Sequence, residues 1–211
     1  MKLTQYDLVI LGDNSESMKD TKKMELLETT IFQVNEIAIQ MTGTELSLRL
    51  LNDDVQQSKL TTAGNRTLIG GKNIEYHGVT PLGTQLKERV IDQILLHPTR
   101  EKPVITILIT DGEPRGETRD TLQKVIKEYS AMRGRHRKSI FLVSQIGNEE
   151  DATKFLEEVE QDEEIKHLVF CSEKKLDDLR PTLDSSSSDE DRKYASLLLE
   201  LFSTALMKRT Y

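Results

Sequence analysis

Two runs of the sequence are almost entirely apolar, LVIL at residues 8–11 and VITILI at residues 104–109. A strand made of such a run has no polar face, so other parts of the chain must cover both of its faces. Parallel sheets with helices packed on both sides are the usual setting for strands of this kind. The two runs therefore predict an α/β fold with a mostly parallel, buried sheet.

Strand-like runs alternate with stretches whose apolar residues recur every three or four positions, the spacing of an amphipathic helix. The strand candidates are residues 8–11, 46–51, 104–109, 140–143 and 165–171. This alternation favours right-handed crossovers and a doubly wound sheet. Residues 52–77 contain glycines, polar residues and only short apolar groups, so we expect an edge strand or hairpin and a loop there.

The composition changes after Pro181. Serines at 185–188 followed by three acids predict a polar loop over residues 181–193, or alternatively a substrate of an acid-directed kinase. Residues 194–211 have helical apolar spacing, and we expect an amphipathic helix packed on the domain; the alternative is a helix that binds a partner. Residues 1–180 would form the main domain of a 211-residue chain with enough apolar residues for one core.

Charge and composition exclude several classes of protein. The net charge of -7 argues against general nucleic-acid binding, which needs a concentrated positive surface. One basic cluster, RGRHRK at residues 133–138, is expected to complement a helix C-terminus, with a specific anionic partner as the alternative. A single cysteine and the lack of a long apolar window predict an intracellular, cytoplasmic protein with no internal disulfide and no membrane partner.

Oxygen-bearing side chains occur at three predicted loops. DNSES places Asp13, Ser15 and Ser17 after the first strand, Thr80 in HGVTPLGT precedes a helix, and Asp111 in LITDGEP follows the VITILI strand. Ligands of open α/β sheets bind at the carboxyl ends of the strands, near the switch in strand order, so these side chains should meet at one edge. Oxygen donors without thiolate or imidazole favour a hard divalent cation, Mg²⁺ first, with Mn²⁺ or Ca²⁺ as alternatives.

Each of these residues also has an ordinary structural explanation. Ser17 could cap the first long helix, and Thr80 could cap the next one. Asp111 could form a turn with the glycine that follows it, and Asp13 could accept a hydrogen bond from its own backbone two residues on. Taken singly, these explanations are favoured, and only the combination of all three loops favours a metal site.

The three motifs together resemble, in order and spacing, the metal-ion-dependent adhesion site (MIDAS) of von Willebrand factor A (vWA) domains. The resemblance covers roughly residues 6–172. Within it, FLVSQIGNEEDATKFL is similar to a strand and helix of intracellular single-domain members, many of them fungal. The resemblance implies a three-layer, doubly wound, Rossmann-like fold with a sheet of about six strands, one of them an antiparallel edge strand.

The resemblance also implies a role for each site residue. Ser15 and Ser17 would bind the metal directly, Asp13 and Asp111 would act mainly through bound water, and Thr80 would approach or leave the metal as the domain changes state. An Asp or Glu carboxylate of a protein partner would fill the open coordination position.

Glu16 departs from the family pattern, which most often has a small residue at this place. Its carboxylate could point to solvent, add negative charge beside the ion, or occupy the site of a neighbouring molecule.

The sequence thus predicts a metal-dependent protein-binding module that is not an enzyme, with the oligomeric state left open. One alternative is a structural interaction domain with a vestigial metal site. A magnesium-dependent phosphoryl-transfer enzyme is less favoured, because a phosphoaspartate enzyme needs a second acid where Ser15 stands and a basic group for phosphate. The chain also lacks a glycine-rich dinucleotide loop and a P-loop lysine, and its four histidines are scattered.

Overall fold

The central sheet follows the predicted architecture. The computed structural model describes residues 3–41, 43–53, 57–58, 74–132, 139–180 and 188–208. Five strands are parallel: β1 (Asp7–Gly12), β2 (Leu46–Leu50), β4 (Val104–Thr110), β5 (Ile140–Gln145) and β6 (Val169–Cys171). The two-residue β3 (Gln57–Ser58) pairs antiparallel with β2, and the strand order is β3-β2-β1-β4-β5-β6. The predicted α/β class with a parallel sheet is confirmed.

Helices connect the strands along the chain. They are α1 (Thr21–Gln40), α2 (Leu82–Gln85), α3 (Thr121–Ala131), α4 (Glu150–Glu160), α5 (Leu176–Leu179) and α6 (Ser188–Lys208). α2 continues directly as a π-helix over Leu86–Leu95, and short 3₁₀ turns occupy Leu3–Gln5 and Glu16–Lys19. The helical stripes predicted between the strands therefore correspond to helices, although the second one is mostly wound with π geometry.

The sheet separates two apolar layers. Along β1, Leu8 and Ile10 belong to the layer that contains the buried faces of α1 and α6. Val9 and Leu11 belong to the other layer, with the π-helix, α3 and α4. Because successive side chains of a strand point to opposite faces, the unbroken apolar run of β1 is what a sheet covered on both sides requires.

The strand order reverses between β1 and β4. From β1 the chain moves outward to β2, and from β4 it moves outward the other way to β5 and β6. Gly12, the last residue of β1, is paired with Leu50 of β2 and Ile109 of β4. The loops after β1 and β4 therefore leave the sheet side by side, at the place where doubly wound folds bind ligands.

The last helix begins earlier in the chain than the sequence predicts. α6 begins at Ser188, so residues 188–193 are helical and not part of a loop. Asp189, Glu190 and Asp191 lie in its first turn, where carboxylates complement the positive end of the helix dipole. Residues 181–187 of the predicted loop lie outside the described residues.

α6 packs against α1 and β5 through its apolar face. Tyr194, Leu198 and Phe202 are fully buried, and the Tyr194 hydroxyl lies 2.6 Å from the Thr30 hydroxyl of α1. The Arg180 guanidinium lies over the Tyr194 ring, 5.6 Å from its centroid. These contacts leave the apolar stripe of this helix covered by its own domain.

Other predictions need smaller adjustments. The strand expected at residues 165–171 begins only at Val169, because residues 163–168 form turns. The basic cluster at residues 133–138 and most of the uncertain segment, residues 54–56 and 59–73, lie outside the described residues. Among the helices that are described, none is both long enough and apolar enough to cross a membrane.

Candidate metal centre

Backbone hydrogen bonds join the loop after β1 to its neighbours. The Asp13 N–H donates to the Ile109 carbonyl at 2.8 Å, which extends the pairing of β1 with β4 by one residue. The His77 N–H donates to the Asn14 carbonyl, also at 2.8 Å, which fixes the segment before Thr80 against the same loop. The three predicted site loops therefore lie at one edge of the sheet, as expected from the topology.

Asn14 holds this junction together through its side chain. It is completely buried, and its amide donates to the Glu75 carbonyl at 2.8 Å. Its side-chain oxygen accepts from the Asn52 N–H at 2.8 Å, just beyond the end of β2. One side chain thus connects the loops that follow β1 and β2 with the segment that leads to Thr80.

Asp13 is buried and accepts two hydrogen bonds. Its Oδ1 accepts from the Ser15 N–H at 2.8 Å, and its Oδ2 accepts from the Thr110 hydroxyl at 2.7 Å. Burial raises the pKa of Asp13 to about 6, against the opposing effect of the hydrogen bonds from Ser15 and Thr110, and the nearby Asp111 raises it further. The surrounding protein groups therefore stabilise the charged form of this carboxylate poorly.

A chain of hydrogen bonds links the hydroxyls to the second carboxylate. The Ser15 and Ser17 hydroxyl oxygens are 3.0 Å apart, and Ser17 donates to Asp111 Oδ1 at 2.8 Å. Asp111 is almost completely buried, whereas Ser17 is exposed. Hydrogen bonds thus connect four of the five predicted ligands one after another: Asp13, Ser15, Ser17 and Asp111. Solvent reaches this group at Ser17.

Thr80 is held in the same region by its backbone. Its carbonyl accepts from the Arg115 N–H at 3.0 Å, which ties the loop after β4 to the start of α2. The residue is buried. Among the described residues, its hydroxyl is not part of the hydrogen-bonded chain formed by the other four predicted ligands.

Lys23, which the sequence did not single out, completes the cluster. Its Nζ donates to Asp111 Oδ2 and to Glu149 Oε1, both at 2.6 Å, and so bridges the loops after β4 and β5. Partial burial alone would lower the pKa of Lys23, but its hydrogen bonds to the two carboxylates raise it above its usual value. The lysine is therefore firmly cationic and lies against one of the predicted metal ligands.

The ordinary explanations of the site residues are only partly supported. Asp13 does bond to the backbone two residues on, as that explanation requires. Ser17, however, does not cap α1, because Asp20 accepts from the Lys22 and Lys23 N–H groups. Ser17 instead donates a hydrogen bond to Asp111, which lies 94 positions away in the sequence and in another loop.

The start of α2 is capped by a residue from another loop. The Glu117 carboxylate accepts from the Gly83 N–H at 2.7 Å, the Thr84 N–H at 2.8 Å and the Thr84 hydroxyl at 2.7 Å. Gly83 lies so close to α3 that an added Cβ would be 2.6 Å from the Leu122 backbone nitrogen. Thr80 is therefore not needed as a cap, and Glu117 fixes the Asp111 loop to the helix that follows Thr80.

Replacing Glu117 by alanine should lower the free energy of unfolding by about 2 kcal/mol, because two N–H groups of α2 lose their cap and one hydroxyl loses its acceptor. Urea denaturation measures the change. Glu157→Ala is the control, since Glu157 is exposed on α4 and its loss should cost less than about 0.5 kcal/mol. Equal stability of the two variants would show that the Glu117 bonds are not a significant clamp.

The donor set suits a hard cation. It consists of two carboxylates and three hydroxyls, and among the described residues no group of three or more His, Cys, Asp or Glu side chains is placed to hold a metal. Oxygen donors of this kind match Mg²⁺, Mn²⁺ or Ca²⁺ better than softer ions. One of the two carboxylates, Asp111, is already paired with the Lys23 ammonium at 2.6 Å.

Comparison with known proteins identifies the fold of the chain but no protein related to it in sequence. No family model and no curated protein sequence matches the chain. Among solved structures, the chain is similar to a von Willebrand factor type A protein from Catenulispora acidiphila, with a TM-score of 0.57 and 14% identity over 93% of this chain and 42% of the other.

A second group of similar structures comes from the mussel byssus. Proximal thread matrix protein 1 (PTMP1) has a TM-score of 0.59 and 17% identity, over 94% of this chain and 47% of its own. Another PTMP1 structure, described as having a zinc-occupied MIDAS motif, has a TM-score of 0.55 and 16% identity, over 94% of this chain and 48% of its own. The chain spans less than half the length of the solved chains that it matches. At these identities the likeness shows that the chain has the vWA fold.

Proposed function

We propose that the chain is a metal-dependent protein-binding module. Its cation would be held by two buried carboxylates and three hydroxyls, and a carboxylate of an acidic partner would fill the remaining position. The proposed ligands are Asp13, Ser15, Ser17, Thr80 and Asp111. The observation that carries this proposal is the hydrogen-bonded chain of oxygen donors at the switch point of a doubly wound sheet.

The chemistry of the donors explains why a partner carboxylate would be attracted. Hydroxyl ligands are neutral, so a bound divalent ion would keep much of its positive charge. Asp13 and Asp111 are buried behind the hydroxyls, whereas Ser17 is exposed. A partner would therefore approach from the Ser17 side.

The comparisons support a divalent cation in general. Zinc occupies the MIDAS motif of one PTMP1 structure. We favour Mg²⁺ for this chain, with Mn²⁺ or Ca²⁺ as alternatives, because its donors are all oxygen. We further propose that β3 is the antiparallel edge strand of a six-stranded vWA sheet, and that the domain acts inside the cell as a single-domain member of the fungal type.

One observation favours phosphoryl transfer as a second candidate function. The Lys23 ammonium lies 2.6 Å from Asp111 Oδ2 and supplies the basic group that such an enzyme needs near its aspartate. Against this, a serine still stands two residues after Asp13, where a second acid would be required. Absence of turnover of aryl and acyl phosphates with Mg²⁺ would argue for the binding module, and clear turnover that depends on Asp13 or Asp111 would favour the enzyme.

The proposal is tested by calorimetric titration of Mg²⁺ and Mn²⁺ into metal-free protein. We expect one equivalent to bind the wild type, with affinity about 10- to 100-fold weaker in Asp13→Ala because the carboxylate that orders the site is lost. Glu16→Gln is the matched control, since this acid of the same loop has a side chain 74% exposed, and its loss should change affinity less than about threefold.

Excess acetate, compared with sodium chloride at equal ionic strength, should tighten binding to the wild type because it supplies a carboxylate. Failure of the wild type to bind either metal, with or without acetate, would contradict the proposal. Unchanged affinity in Asp13→Ala would contradict the assignment of the site.

A further inference from the structure

Both carboxylate oxygens of Asp111 accept hydrogen bonds from side chains of this protein. Its Oδ1 accepts from the Ser17 hydroxyl at 2.8 Å, and its Oδ2 accepts from Lys23 Nζ at 2.6 Å. The lysine is also in a position to repel a second cation, because an ammonium this close to Asp111 lies within a few ångströms of any ion held there. For the site to bind a dication, the Lys23–Asp111 contact must weaken.

Glu149 can hold the Lys23 ammonium when its contact with Asp111 is broken. The same ammonium already donates to Glu149 Oε1 at 2.6 Å, and the Glu149 side chain is 45% exposed. Gly147 makes room for the pair: an added Cβ there would be 2.4 Å from Glu149 Oε2 and 3.2 Å from Lys23 Cε. The Lys23–Glu149 contact can therefore persist when the contact with Asp111 is given up.

We propose that Lys23 is a built-in competitor of the metal, whose ammonium neutralises Asp111 in the metal-free protein and turns to Glu149 alone when a divalent cation binds. This inference rests on the proposed function, because it requires the metal site. It assigns to Lys23 a positioning role that limits metal affinity, and to Glu149 the role of holding the displaced ammonium. Metal binding would then change the contacts of the loop between β5 and α4.

Removal of the lysine gives the first test. In calorimetric titrations with Mg²⁺ and Mn²⁺ alone, Lys23→Met should bind about tenfold more tightly than the wild type, because no charge-assisted hydrogen bond has to be broken. Lys23→Arg keeps the charge and should stay within about threefold of the wild type. Lys22→Met removes an exposed neighbouring charge from the same helix and should also stay within about threefold.

A double-mutant cycle with Glu149→Gln separates competition from general electrostatics. In the wild-type background, Glu149→Gln should weaken metal binding about tenfold, because the second acceptor of Lys23 becomes a neutral amide oxygen and the ammonium stays on the charged Asp111. In the Lys23→Met background, the same change should weaken binding by less than about threefold. If Glu149 acted only as a negative charge near the ion, the loss would be the same in both backgrounds, and the proposal would be overturned.

Thermal melts give a readout that does not depend on titration heats. Without metal, Lys23→Met should melt at a lower temperature than the wild type, since Asp111 loses its counter-charge. Saturating Mg²⁺ should raise its melting temperature by more than it raises that of the wild type, in line with tighter binding.

The outcomes distinguish this inference from the function on which it rests. If the wild type binds one equivalent of metal and Lys23→Met binds equally or more weakly, the competition is wrong and the metal site stands. If neither protein binds metal although both melt cooperatively, the metal site and the competition fall together.

Discussion

Replacing Phe202 by alanine should lower the free energy of unfolding by about 3 to 5 kcal/mol, the range for removing a fully buried aromatic ring. Phe202 has no exposed surface and belongs to the layer that contains α1 and one face of the sheet. The surrounding side chains come from rigid helices and strands, so the cavity cannot close easily. Such a loss is a large fraction of the stability of an ordinary domain.

Met207→Ala is the matched control for Phe202→Ala. It lies in the same helix, but 62% of its surface is exposed, and its loss should cost less than about 0.5 kcal/mol. Urea denaturation of both variants measures the difference. If Phe202→Ala were no less stable than Met207→Ala, α6 would not contribute to the core, and the alternative of a partner-binding helix would regain support.

Asp13→Asn should stabilise the metal-free protein relative to the wild type at pH 7, by about 2 kcal/mol more than it does at pH 4. Burial raises the pKa of Asp13 to about 6 in the folded protein, against 3.8 as its ordinary value. The folded state thus favours the protonated carboxyl. This contribution to stability is fully present only well below pH 3.8 and is lost as the pH rises through about 6.

Urea denaturation of wild type and Asp13→Asn at pH 4, 5, 6 and 7 measures this dependence. The comparison isolates Asp13, because the other carboxylates titrate in both proteins. A difference in stability that stays constant between pH 4 and 7 would show that Asp13 is not strained by its burial. At pH 7, adding Mg²⁺ should stabilise the wild type more than it stabilises Asp13→Asn, since the carboxylate at this position favours the ion.

The sheet could be predicted because its cause is local. Runs such as residues 104–109 have no polar face, and this fact alone requires cover on both sides. Given a parallel sheet, the chain direction places Asp13 and Asp111 at one edge, and the structure shows them joined through Ser15 and Ser17. Strand-like periodicity and the position of each oxygen donor relative to a strand end are enough to bring these residues together.

The contacts that modify the site could not be predicted, since they depend on side chains distant in sequence. Lys23 is 88 positions from Asp111 and 126 from Glu149, and its place in the first turn of a helix is typical of a solvated residue. Glu117 caps a helix that begins 35 positions earlier, so no local capping signal marks it. α6 begins at Ser188, the last residue of a serine run whose composition favours a loop.

The pairing of β1 on both sides has a further consequence for the site. β1 and β4 are the central pair of strands, and the amide hydrogens of β1 lie within this pairing. The Asp13 N–H, which donates to the Ile109 carbonyl, extends it. Hydrogens in such a position exchange with solvent mainly when the whole domain unfolds. The loop of Asp13 is thus assembled once, during folding, and a ligand that binds there does not have to bear the entropy of ordering it.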